Sequence, residues 1–172
     1  MTRMSVDSTI RQVKQQYQGD EERPLGGYLA VLGVYGGLTG GLALLAKALR
    51  ITPPAPSVGD TALLSVATYK LSRLLTKDAV TSPLRAPFAR YEEPAGDGEV
   101  MESVRGHGVQ HAAGEMLTCP FCLSVWVATG LTAGLVFAPR LTRLVCGTLT
   151  ALAVSDGLHL VYDKAKDAGD ES

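Results

Sequence analysis

Charge is expelled from three stretches of this 172-residue chain. Leu25 to Ala46 and Met116 to Pro139 carry no charged residue, and Leu144 to Tyr162 carries only Asp156 and His159. About 20 apolar residues rising ~1.5 Å each cross the hydrocarbon of a bilayer, so each stretch qualifies as a transmembrane helix. A soluble bundle of buried helices is the competing reading, but uncharged runs of this length are uncommon in soluble cores. An overall composition of 46% hydrophobic residues and a net charge of −1 hides the segregation. Polar residues gather at the termini and between Glu92 and Glu115. The expected fold is all-α, an integral membrane helical bundle of four helices in two hairpins. Residues 1–24 are expected to form a polar cytosolic tail and 163–172 a polar C-terminal tail. The membrane domain, 25–162, is interrupted by a mobile acidic loop at about 89–106.

More than 20 residues, including four acids, precede the first stretch, which is unlike a cleaved signal peptide and is expected to stay in the chain. Inside it Gly33, Gly37 and Gly41 recur on one helix face. Such a stripe lets another helix approach to backbone contact, either within the chain or across a homo-oligomer or protein partner. Packing within the chain is the preferred expectation. No strand pattern precedes these glycines, so a dinucleotide loop is dismissed.

A second helix is expected at Asp60 to Lys77, with Asp60 as its N-cap. Leu63, Ala67, Leu71, Leu74 and Leu75 form its apolar face, and Lys70, Arg73 and Lys77 lie opposite. Such a helix either spans, with its basic ends snorkelling, or lies among the headgroups. Pro83 and Pro87 end helical character, and the Glu-, Gly- and Pro-rich segment from Glu92 to Glu99 has little to bury.

Charge asymmetry orients the chain. If all four segments span, ten basic residues, among them Arg3, Arg11, Lys14, Lys77, Arg85 and Arg90, lie on one side. Lys47, Arg50, Arg140 and Arg143 lie on the other, so the ten face the cytosol. A flat second segment leaves the loop before Cys119 on the cytosolic side as well. The expected location is the bacterial cytoplasmic membrane, multi-pass.

Cys119-Pro120-Phe121-Cys122 stands at the mouth of the second apolar stretch. Three uses compete. His107 and His111 precede the cysteines and complete two-His, two-Cys donors of the kind zinc takes, although their order is reversed from common fingers. Alternatively, Pro120 at the first helical position makes Cys119 the N-cap, and the helix dipole favours thiolate chemistry. The third use is structural: Cys119, Cys122, Trp126 and Ala133 share a face suited to packing. A cytosolic position disfavours a permanent disulfide. Cys146 reads as a small buried hydrophobe.

Asp156 and His159, three residues apart, share a face at membrane depth, where ionisable groups are costly and point inward. They could pair, carry a proton or bind an ion. The basic block of Lys70, Arg73, Lys77 and Arg85, with Arg90, orients the chain and is placed to touch anionic lipid headgroups. An acidic balance without a recognition motif excludes nucleic acid as a partner.

The blocks Ala67 to Leu75 with Lys77 and Asp78, Thr81 to Phe88, and Gly114 to Cys122 with Trp126 resemble the bacterial membrane family catalogued as domain of unknown function 1360. The resemblance covers roughly Tyr28 to Tyr162 and implies a small integral membrane protein, with no activity, substrate or catalytic residue to carry over. The expected function is a non-enzymatic packing or interaction protein at the cytosolic membrane face. The alternatives are a membrane thiol oxidoreductase using Cys119 and Cys122 or a metal-binding membrane protein.

Overall fold

The three charge-poor stretches lie in three helices long and apolar enough to cross a membrane: α1 (Leu25–Ala48), α5 (Pro120–Phe137) and α6 (Pro139–Asp170). They are seen in a computed structural model that describes residues 12–13, 16–17 and 23–170. Arg3, Arg11 and Lys14 therefore lie outside the described residues. Between the apolar helices come α2 (Val58–Lys77), a 3-10 turn (Ala79–Thr81) and the short α3 (Ser82–Arg85). The strands β1 (Ala89–Gly96) and β2 (Glu99–Val104) and the helix α4 (Gly108–Thr118) follow.

The chain is mostly helical but not all-α. Where an acidic loop is expected, β1 and β2 pair antiparallel, from Ala89 opposite Val104 to Gly96 opposite Glu99. The turn uses Gly96 and Gly98, both at positive φ, which glycine adopts without steric cost. Register shifts flank Glu93 and Pro94, consistent with a proline that cannot donate to the ladder. At the other end of the chain α6 continues without a break to Asp170, so the polar segment after Tyr162 is helical over its described residues.

Local chemistry sets the helix starts. Ser57, not Asp60, caps α2: its hydroxyl accepts the Asp60 N–H at 3.0 Å, and the Asp60 carboxylate accepts the Ser57 N–H at 3.2 Å. This reciprocal pair is a capping box with Asp60 at its third position. At α5 the sequence expectation holds. Cys119 is the N-cap, its sulfur accepting the Cys122 N–H at 3.2 Å, and Pro120 opens the helix.

Side-chain contacts give the helix directions. Tyr28 meets Glu115 and Tyr35 meets Thr129, so α1 runs along α4 and α5. Asp60 meets Arg143 and Lys70 meets Asp156, so α2 and α6 are parallel. Ala138 alone links α5 to α6, and Gly134 lies against Thr142, which reverses the chain. The start of α1, the end of α2 and the start of α5 therefore share one end with the hairpin. The core sits midway along α2, where Ala67 packs with Cys146 and Leu149 inside a ring of Leu63, Leu64, Leu71 and Leu131.

Candidate functional site at the hairpin end

Arg85 organises this end. Its side chain is fully buried, and a buried guanidinium is tolerated only when its charge is paired and its donors are satisfied. Nε and Nη2 donate to the two carboxylate oxygens of Glu102 at 2.5 and 3.2 Å. Nη1 donates to the Leu75 carbonyl at 2.8 Å and the Thr81 hydroxyl at 2.6 Å. Nη2 also reaches the Asp78 carbonyl and the Ser82 hydroxyl. One side chain thus ties the last turn of α2, the 3-10 turn and β2 together. Pro83, early in α3, restricts the backbone that aims it.

A second arginine repeats the grip. Arg73 donates through Nε and Nη2 to Glu99 at 2.6 and 2.8 Å. The Ala79 N–H donates to the Gly98 carbonyl at 2.8 Å, holding the hairpin turn against the end of α2. Burial pushes the Asp78 carboxyl above its ordinary range, opposed by Lys70 and reinforced by Glu99.

These contacts revise the lipid-contact set. Arg85 is inaccessible to headgroups, Arg73 is clamped by Glu99, and Lys70 pairs with Asp156 at 2.7 Å. Lys77 is half-buried and has no ion pair among the described residues. The carboxylate partners of the two arginines, Glu99 and Glu102, lie in β2, within the segment that the sequence pattern presents as a loop. Asp156 likewise pairs across to α2 and not with His159, which is exposed.

The cysteine mouth is arranged around Glu115. Tyr28 donates to it at 2.6 Å, with Arg23 at 3.6 Å and His111 Nε2 at 3.5 Å. Cys122, Tyr28, Tyr35, Glu115 and Trp126 line an apolar groove of about 340 Å3 between α1, α4 and α5. Tyr35 and Trp126 meet edge to face with ring centroids 5.1 Å apart. All three cysteines are free thiols, and Cys146 is buried as expected.

The four zinc candidates are not gathered. Among the described residues no three His, Cys, Asp or Glu side chains converge as a metal requires. His107 caps the start of α4, whereas Cys119 follows its end, twelve residues or roughly 18 Å of helix away. The expectation lacked that intervening helix.

The glycine stripe is also unmet. A Cβ placed on Gly33, Gly37 or Gly41 would touch nothing within 4 Å among the described residues, so the expected packing within the chain is not seen among them. Close approach falls instead on Gly27, against Gly108 and Ala112, and on Gly114, where a Cβ would lie 2.8 Å from the Phe88 carbonyl oxygen. Glycines four apart are a legible signal. These isolated ones, defined by contacts far away in sequence, are not.

Fold and site together define a class: a helical protein with three apolar helices able to cross a membrane, its short hairpin pinned at one end by arginines. The chain belongs to a family of proteins of unknown function, DUF1360, whose family model matches residues 63–162. The match is shorter than the expected Tyr28 to Tyr162 and leaves α1 outside. The chain is also similar to the sporulation protein YjcA of Bacillus subtilis (strain 168), with 42% identity over 69 residues. That similarity covers 38% of this chain and 58% of the relative, so the chain spans less than two thirds of the relative's length. No solved structure matches the chain.

Proposed function

We propose that this protein is a four-span membrane protein whose hairpin end forms a rigid, non-enzymatic interaction platform at the cytosolic face. The observation that carries this reading is the buried Arg85–Glu102 pair, which fixes a hairpin of largely exposed β1 to the end of the central helix. A fixed surface costs less ordering entropy on binding than a loose loop does. The large apolar side chains left exposed on α1 and α6, such as Leu29, Leu44, Leu144 and Leu158, face lipid in this arrangement. In it α2 is the central span, its Asp60 and Lys70 neutralised by Arg143 and Asp156 of α6. Positive charge then directs the hairpin inward: among the described residues Arg23, Lys77, Arg85, Arg90, Arg105, Lys164 and Lys166 flank the spans at that end, and Lys47, Arg50, Arg140 and Arg143 flank them at the other. The open face of Gly33, Gly37 and Gly41 suits a helix from a partner or a second copy. The relative's name, a sporulation protein, suggests spore formation as a process in which to look for partners.

In-cell crosslinking from the hairpin tests the reading. A photoreactive group replacing Tyr91, which is exposed, should give a discrete crosslinked product. That product should vanish when Glu102→Ala releases the hairpin. Absence of any product, with the chain intact in the membrane, would contradict the platform.

A further inference from the structure

Most arginines near the hairpin end are matched to an acid: Arg73 to Glu99, Arg85 to Glu102, and Arg23 to Glu115. Arg90 and Arg105 have no carboxylate partner among the described residues, and both line one open cleft of about 460 Å3. The cleft is built from the base of the hairpin and the first turn of α4. Arg90 stands opposite Ser103 in register, and Gln110 forms another wall. Two backbone-directed bonds hold that wall: Arg105 Nη1 to the Ala86 carbonyl at 3.1 Å and Gln110 Nε2 to the Pro87 carbonyl at 2.9 Å. Gly106, at φ +74°, shapes the opening, since a Cβ there would collide with the Gln110 amide. The N-cap of α4, His107, which follows Gly106, provides no side-chain cap for that helix.

The geometry points to a phosphoryl-anion site at Arg90 and Arg105, filled by the headgroup phosphate of an anionic phospholipid. Guanidinium groups suit phosphate oxygens because their donors form a planar fork. The depth selects the lipid as source. Gly108 touches Gly27, near the beginning of α1, which places the cleft level with the start of that apolar helix. This assignment rests on the membrane reading above and deepens it by naming a ligand. Glu92 is the unfavourable neighbour, its carboxylate bonded to the Ser103 hydroxyl in the cleft wall.

The test is lipid retention by the full chain, delipidated in detergent and titrated with phosphatidylglycerol or phosphatidylcholine under native mass spectrometry. Phosphatidylglycerol should be retained preferentially. Arg90→Ala and Arg105→Ala should each weaken it roughly fivefold, the equivalent of ~1 kcal/mol per basic residue at a membrane surface. Arg140→Ala, at the opposite end, should change nothing, and Glu92→Gln should tighten binding. Arg90→Ala leaves the Arg105 link to Ala86 intact, so its effect is separable from misfolding. Equal retention of the two lipids, or unchanged retention when Arg90→Ala and Arg105→Ala are combined, would overturn the site. Inorganic phosphate binding as tightly as the phospholipid would overturn the lipid assignment in favour of a soluble anion. Fractionation of the producing cells before detergent is added separates the two levels. A chain absent from membranes sinks the membrane reading, whereas a membrane-bound chain without lipid preference sinks this site alone.

Discussion

The two helices α1 and α2 invert the ordinary relation between polarity and burial. α1 has no charge before Lys47, yet most of its side chains are exposed, Leu29 at 69% and Leu44 at 69% among them. α2 carries Asp60, Lys70, Arg73 and Lys77, yet lies between α5 and α6 with Ala67, Ser72 and Thr76 buried. In water the uncharged helix would be the core and the charged one the surface. Against lipid the order reverses, because apolar side chains face hydrocarbon without cost and charges must find partners inside. Each charged residue of α2 except Lys77 has such a partner among the described residues.

The largest expected effect comes from removing an acid that neutralises this inner framework. Glu102→Ala leaves the Arg85 guanidinium buried and unpaired, which should cost about 3–5 kcal/mol, seen as a large drop in thermal stability in detergent. Replacing Arg85 and Glu102 together with Met should cost less than Glu102→Ala alone. If the double variant is the worse of the two, hydrogen bonding to the turn outweighs charge pairing.

Gly114→Val should follow, at about 1–3 kcal/mol, because its side chain would enter the Phe88 carbonyl and Val104. The same stability measurement checks it, and a neutral result would place the hairpin base farther from α4.

Smaller still is the Lys70–Asp156 pair, in which Asp156 is half exposed. Asp156→Asn should destabilise by about 1 kcal/mol in detergent and more in bilayers, where the remaining lysine is harder to hydrate. Exchanging the two residues should restore much of the loss, and a double-mutant cycle measures the coupling. At the lower limit, Gly37→Leu should leave the stability of the single chain within about 0.5 kcal/mol, since its surroundings are open. Any reduction in crosslinked dimer by that change would place a second helix on α1.

The sequence carried the periodic and the local. Charge exclusion locates three helices, and Cys119-Pro120 locates a helix start to the residue. The hairpin was obscured because its signal is mixed. Asp97-Gly98 between Arg90-Tyr91 and Val100-Met101 is a turn signature, but Glu92, Glu93 and Pro94 read as solvent-exposed loop. That misreading propagated. Once Glu99 and Glu102 are set adrift in a loop, Arg73 and Arg85 look available to lipid, although each group is the other's partner. Pairings 17 and 26 residues apart have no local signature, so the basic block and the acidic block were legible separately and their union was not.

If α2 crosses the bilayer as proposed, it separates the linker before it from the hairpin after it. Single cysteines at Ala55 and Asp97, in a chain whose three native cysteines are replaced by serine, report this directly through a membrane-impermeant maleimide on intact cells. Ala55→Cys should label from outside, and Asp97→Cys only after the membrane is opened. Labelling of both positions from the same side would contradict the claim and lay α2 along the membrane surface.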